Sequence, residues 1–177
     1  NVTAIDISQK SLDAIKEKFR RYSLKNKIKL VKMDAHKLKF KNDSFDVVFI
    51  QTTLMHLNYI KVAMECKKVI KKNGLVIFFE PLNDNVLIRY YRDLFSKFKN
   101  TKPNYLRFKD IIRVSKNFNK FKTKGFYLIS FFSLLFRDYP FFYKLISNLL
   151  KKFENILIKI FPKLEKYCWI NVSIYKK

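Results

Sequence analysis

The chain has 177 residues, of which 49% are hydrophobic and 29% charged, with a formal net charge of +24; that much apolar material is enough for a sizeable core and excludes a disordered tail. Its two cysteines, Cys66 and Cys168, lie far apart and fit neither a CxxC nor a His-paired spacing, which excludes a disulfide scaffold and a cysteine-based metal centre. The longest uninterrupted run of apolar residues and serine, over 126–136, is shorter than the roughly 18 residues needed to span a bilayer.

The positive charge is spread along the chain, with seventeen basic against eight acidic residues through Glu80 and twenty-one against six after it. A nucleic-acid surface would cluster Lys and Arg among exposed aromatics. The diffuse excess reads instead as biased background plus solvated faces, because charged residues mostly stay exposed. Both cysteines read as reduced, buried small hydrophobes. No signal-peptide pattern opens the chain, so a cytoplasmic location is the expectation.

Residues 2–7, VTAIDI, form a strand that ends on an acid, and the short apolar run suits a central strand buried on both faces. Ser8 is placed to cap a helix over 9–22, where Leu12, Ile15 and Phe19 recur at helical spacing. Asn26 fits a turn into a second strand over 28–33, which ends on Asp34-Ala35. Strand, acidic tip, helix, strand, acidic tip is the pattern of a βαβ unit in a parallel sheet. A polar connection over 36–44, anchored by Leu38 and Phe40, leads to a third strand at 45–50, and Gln51-Thr52 leave its carboxyl end. Asn58 caps a helix running to Lys72, stopped by Asn73-Gly74 with Gly74 in the left-handed position.

A fourth buried strand over 75–79 ends at Glu80-Pro81. Asp84 opens a helix that carries Val86-Leu87, Tyr90-Tyr91, Leu94-Phe95 and Phe98. Beyond it, 108–114 reads as helix and 121–129 as strand. A long amphipathic helix follows over 141–161, ended by Pro162, and 169–175 makes a last strand.

Four stretches resemble the class I S-adenosylmethionine-dependent methyltransferases, in the branch that methylates small molecules. They are Val2-Thr-Ala-Ile-Asp6-Ile7-Ser8, similar to that family's acid-ended second strand; Met33-Asp34-Ala35 with Leu38 and Phe40, similar to its "GDA…LPF" segment; Asp43-Ser-Phe45-Asp46-Val-Val, similar to its fourth strand; and Val69-Ile-Lys-Lys-Asn73-Gly74-Leu75 running into Glu80-Pro81, similar to its "LKPGG" turn and fifth strand. The resemblance covers 1–82. It implies an α/β fold with a Rossmann-like, mostly parallel sheet, flanking helices, an antiparallel last strand and a helical insert at about 128–162. The chain would then be one domain, 1–177, with a cofactor-binding part at 1–82 and a substrate or cap part at 83–177.

The family's first strand and glycine-rich turn have no counterpart here, Met33 stands where Gly is usual, and Asn73 where Pro is. In the family's sheet order that strand is central, between those at 2–7 and 45–50. The expectation is therefore the carboxyl-terminal part of a longer enzyme, which by itself folds poorly because two rows of backbone groups stay unpaired.

The resemblance assigns S-adenosylmethionine as cofactor and gives roles to named residues. Asp6 would accept both ribose hydroxyls, Ile7 would pack on the adenine face, and Asp34 with Ala35 would hold adenine through a side-chain acceptor and a backbone N–H. Gln51 and Thr52 would lie under the sulfonium end. Asp46 begins its strand, away from the site, and reads as structural. His56 is a candidate general base, being the nearby group whose pKa suits that work, while His36 reads as solvated in a polar loop. No metal constellation is visible, and methyl transfer from a sulfonium proceeds largely by alignment and desolvation.

The acceptor expected is a small molecule or a lipid-like compound. The aromatic, basic stretch 126–161 is read first as a helical cap whose apolar face joins the core. A lid for a hydrophobic substrate, or peripheral contact with an anionic membrane, is the competing reading. Two rivals stand beside the methyltransferase. One is a basic RNA-, DNA- or membrane-binding module on a degenerate Rossmann scaffold; the other is an NAD-type protein, whose second strand also ends on a ribose-binding acid.

Overall fold

The computed structural model of the chain describes residues 1–21, 28–95 and 103–177. The predicted positions Tyr22, Asn26 and Phe98 lie outside them. Two parallel strands, β1 (Val2–Asp6) and β2 (Ile28–Lys32), pair from Val2 opposite Ile28 to Asp6 opposite Lys32, and α1 (Gln9–Arg21) makes the crossover. The Ser8 hydroxyl accepts the Ser11 N–H at 3.3 Å, which caps α1 as the sequence indicates. Lys18, Arg20 and Arg21 occupy its last turn, where the helix dipole favours cations.

The second sheet is built from β3 (Phe45–Gln51), β4 (Ile70–Pro81), β5 (Lys120–Phe126) and β6 (Ile170–Lys176), in the spatial order β3-β4-β6-β5. β3 and β4 are parallel, and β6 runs antiparallel to both of its neighbours, so the antiparallel last strand is present. One face is covered by α2 (Tyr59–Val69) and α4 (Phe108–Ser115), and the core forms there from Val62, Ala63, Cys66, Val76, Phe78, Ile111, Val114 and Tyr175. The Tyr175 ring lies 5.1 Å from that of Phe78 and 5.2 Å from those of Phe118 and Phe121, and its hydroxyl donates to the Ile111 carbonyl at 3.3 Å. Burial of side chains this size stabilises by about 1.5–3 kcal/mol each.

Among the described residues no ladder joins β1 to β3, and the chain's two glycines, Gly74 and Gly125, both lie within strands of the second sheet. The sheet is thus divided at the place where the resemblance sets a further strand and its glycine turn. Val2 is 57% exposed, Val47 50% and Phe49 57%. The two-face burial expected of β1 is therefore not met, because β1 has a partner on one edge and little packs over its start. The layers are tied through the connection after β2. The Leu38 N–H donates to the Glu65 carboxylate at 2.7 Å, Lys68 bridges Glu65 and the Leu38 carbonyl, and Ala35 packs against the core.

Three local expectations are corrected. α2 ends at Val69 rather than Lys72, because Ile70 is fully buried and already pairs with Phe45 as part of β4. The left-handed residue is Asn73, at φ 70°, and not Gly74. Glycine is needed at 74 for close approach, since a Cβ there would sit 2.6 Å from the Ile70 side chain and 2.9 Å from the Asp46 carbonyl oxygen. The helix predicted from Asp84 is α3 (Val86–Phe95), capped by Asn85, whose Oδ1 accepts the Leu87 and Ile88 N–H groups, while Asp84 accepts the Phe108 N–H at 2.6 Å. Its Ile88 is buried, whereas Val86, Leu87, Tyr90 and Tyr91 are more than half exposed.

The insert comprises a 3-10 segment (Ser130–Phe136) and α5 (Pro140–Ile160), followed by a second 3-10 segment (Pro162–Tyr167). Its apolar face does not join the core: Leu145, Leu149, Phe153, Ile156 and Ile160 are all exposed.

Candidate functional site

Each residue singled out as cofactor-binding falls at, or just past, the carboxyl end of its strand, where open α/β sheets take ligands. Asp6 is the last residue of β1, and its carbonyl accepts the Met33 N–H at 3.0 Å, so the β1–β2 ladder extends by one bond. One carboxylate oxygen accepts the Ser8 N–H at 2.7 Å, a turn that directs the chain into α1. The second oxygen has no partner among the described residues. Ile7, one residue on, is 67% exposed.

Asp34 stands beside this turn on β2's exit. Its Oδ1 accepts both the His36 backbone N–H and the His36 Nδ1–H at 2.8 Å, and its other oxygen is open. The His36 backbone and side-chain hydrogen bonds hold the Asp34 carboxyl below the usual carboxylate range, so it is an acceptor at neutral pH. A cleft of about 350 Å³ is lined by Ile7, Lys32, Met33, Asp34, Lys37 and Lys39. It brings Ile7 and Asp34 together, and Asp6, Ala35, Gln51 and Thr52 lie outside its lining.

Gln51 and Thr52 end β3 on the other sheet, both exposed. Thr52 has φ 48°, unusual for a β-branched residue and costing on the order of 1–3 kcal/mol. The turn is held from below by Glu80, a group to which the sequence reading gave no role. Glu80 is fully buried, and its Oε1 accepts the Thr53 N–H at 3.0 Å and the Leu54 N–H at 3.1 Å. Its Oε2 is buried with no partner among the described residues, as is Oδ1 of Asn171, its register partner on β6. Burial pushes the Glu80 carboxyl up from its ordinary value, against the pull of the two N–H groups. The legible signal was a single acid closing an apolar strand, VIFFE.

The two histidines differ in how they are held. His56, the candidate base, sits exposed in a 3-10 turn (Leu54–His56), and its ring has no hydrogen-bond partner among the described residues. His36, expected to be solvated, is pinned. Its Nδ1 pairs with the Asp34 carboxylate and its Nε2 accepts the Asn58 N–H at 3.0 Å, which joins β2's exit to the start of α2. Asn58 in turn caps α2 by accepting the Lys61 N–H at 3.1 Å. Asp46 is exposed and pairs with Lys71 at 2.7 Å, in keeping with a structural role. Among the described residues no cluster of His, Cys, Asp or Glu suits a metal ion.

Residues 1–78 match the family described as methyltransferase domain. Over that stretch the chain is similar to methyltransferase domains. A demethylmenaquinone methyltransferase of Staphylococcus aureus (strain JH9) is 39% identical over 80 residues, which are 45% of this chain and 32% of that protein. The chain thus aligns with about a third of the length of the curated relatives it matches. Two solved structures extend the likeness past residue 78. An S-adenosylmethionine-dependent methyltransferase of Thermotoga maritima matches with a TM-score of 0.62 at 16% identity, covering 98% of this chain and 72% of that one. A phosphoethanolamine N-methyltransferase of Haemonchus contortus, solved with phosphomonomethylethanolamine and S-adenosylhomocysteine, matches with a TM-score of 0.62 at 14% identity, covering 99% of this chain and 43% of that one. At such identities the likeness speaks for the fold alone, and that fold is Rossmann-like over the described residues.

Proposed function

We propose that this chain carries the nucleoside half of an S-adenosylmethionine site and serves methyl transfer to a small-molecule or lipid-like acceptor. The observation that carries the reading is the paired arrangement at the ends of β1 and β2. Asp6 and Asp34 each commit one carboxylate oxygen to their own turn and keep the other open, and Ile7 stands exposed beside them. Two charged acceptors next to an apolar platform suit ribose hydroxyls, the adenine amino group and the adenine face in turn. The cofactor would supply an electrophilic methyl group. This chain's part is to grip its nucleoside, with Gln51 and Thr52 toward the sulfonium end. His56, exposed and unheld, is the weakest member of the site and is proposed only as a proton acceptor for the methyl acceptor's leaving proton.

Calorimetric titration of S-adenosylhomocysteine into the full chain tests this. Binding is expected, with a loss of more than about tenfold in Asp6→Ala and in Asp34→Ala, on the scale of hydrogen bonds made to charged groups. Asp46→Ala, at the opposite end of its strand, should bind as the parent does. Binding of NAD in place of S-adenosylhomocysteine, or equal affinity in the Asp6 and Asp34 variants, would overturn the reading.

A further inference from the structure

α5 is apolar on two faces. Its buried positions are Ser147 and Glu154, with Ile146, Leu150, Leu157 and Ile158 half-buried beside them, while a second apolar set points to solvent: Phe141 is 73% exposed, Leu149 59%, Phe153 54%, Ile156 55% and Ile160 61%. At about 100° per residue, these positions with Leu145 fill one continuous stripe of roughly 120° along a helix about 30 Å long. Single exposed hydrophobics are ordinary, but a stripe of this length is a docking face.

The orientation is fixed. Glu154 accepts the backbone N–H groups of Tyr127, Ile129 and Ser130 at 2.9, 3.0 and 3.0 Å. Turning α5 to bury the stripe would carry this carboxylate into solvent and leave three amide donors unpaired.

Charge names the occupant. Glu154 is the helix's sole carboxylate and it is buried, while Lys144, Lys151, Lys152 and Lys159 are all exposed, with Lys152 and Lys159 along one border of the stripe. A second copy of a chain carrying +24 would meet this face with like charge. No helix among the described residues is long and apolar enough to cross a membrane, so the helix suits lying on a bilayer and not spanning it.

We propose that α5 docks the protein on an anionic lipid surface, with the Phe141–Ile160 stripe among the acyl chains and the flanking lysines at the headgroups. This face is separate from the cleft at β1 and β2 and stands or falls independently of the cofactor reading.

The test is co-sedimentation of the full chain with vesicles of phosphatidylcholine alone and of phosphatidylcholine mixed with phosphatidylglycerol. Binding is expected to the mixed vesicles and at least about tenfold weaker to the neutral ones, and added salt should weaken it. Each of Lys152→Gln and Lys159→Gln should lower affinity about fivefold. The double variant Leu149→Ser, Phe153→Ser should abolish binding while its circular dichroism stays that of the parent, since both side chains are already in solvent. Retained vesicle binding in the double variant would mean adsorption by charge alone and would overturn the proposal. So would indifference to both vesicles, including the case in which the chain dimerises through this face or an acidic protein occupies it.

Discussion

The two sheets of this molecule are built to different standards. In the four-stranded sheet, Phe78 and Val76 of β4 and Tyr175 of β6 are fully buried beneath α2 and α4, and a stack of aromatic rings fills the space between. In the two-stranded layer, Leu12 of α1 is the buried hydrophobe, β1 begins exposed, and the residues with chemical capacity sit on turns at its edge. Apolar burial is concentrated in the four-stranded layer, while Asp6 and Asp34, the carboxylates proposed to grip the nucleoside, stand on the two-stranded one. Low-stability elements that carry ligand sites are a general feature of proteins, and here the division follows the break between β1 and β3.

Substitutions should separate the two layers. The largest effect is expected for Phe78→Ala, which leaves a cavity in the packed layer and should cost about 3–5 kcal/mol by chemical denaturation. If the cost were under about 1 kcal/mol, the packed sheet would not be the stable part. Glu80 comes next, at the rim of the same sheet. Glu80→Ala leaves the Thr53 and Leu54 amides without their acceptor and should cost about 1–3 kcal/mol.

Glu80→Gln keeps the acceptor and removes the buried charge, so its effect depends on pH. With the folded carboxyl raised above its unfolded value, the stabilisation from protonated Glu80 is fully present below about pH 4.5 and is lost as pH rises through the higher folded value. The Gln variant should therefore lack that decline and match or exceed the parent at neutral pH. An identical pH–stability profile in the two proteins would remove Glu80 from this account.

The sequence disclosed much of this because short-range physics governs it. Strands tipped with acids, the Ser8 and Asn58 caps, and the alternation in 169–175 each depend on neighbours within a few residues, and each is present, although β4 begins at Ile70 and not at 75. What was not legible depends on partners far along the chain. His36 looks solvated in sequence because its clamp on Asn58 lies 22 residues away. The part Glu80 plays does not show locally because the two amides it holds lie 26 and 27 residues earlier. α5 has a second apolar face over Ile146, Leu150, Leu157 and Ile158, and that face turns inward together with Glu154, which reaches back to the amides of Tyr127, Ile129 and Ser130. The capping position at Asn85 rather than Asp84 follows the same rule, since Asp84 is taken up by the Phe108 amide.

Hydrogen exchange with and without S-adenosylhomocysteine puts the central claim, that the exposed layer is the ligand's seat, to the most direct trial. The account predicts that, without ligand, amides of β4 and β6 exchange slowest and those of β1 fastest among the strands, and that ligand slows exchange at 4–8 and 33–39 while leaving β5 and β6 unchanged. Protection confined to β5 and β6, or no change anywhere on the two-stranded layer at saturating ligand, would contradict it.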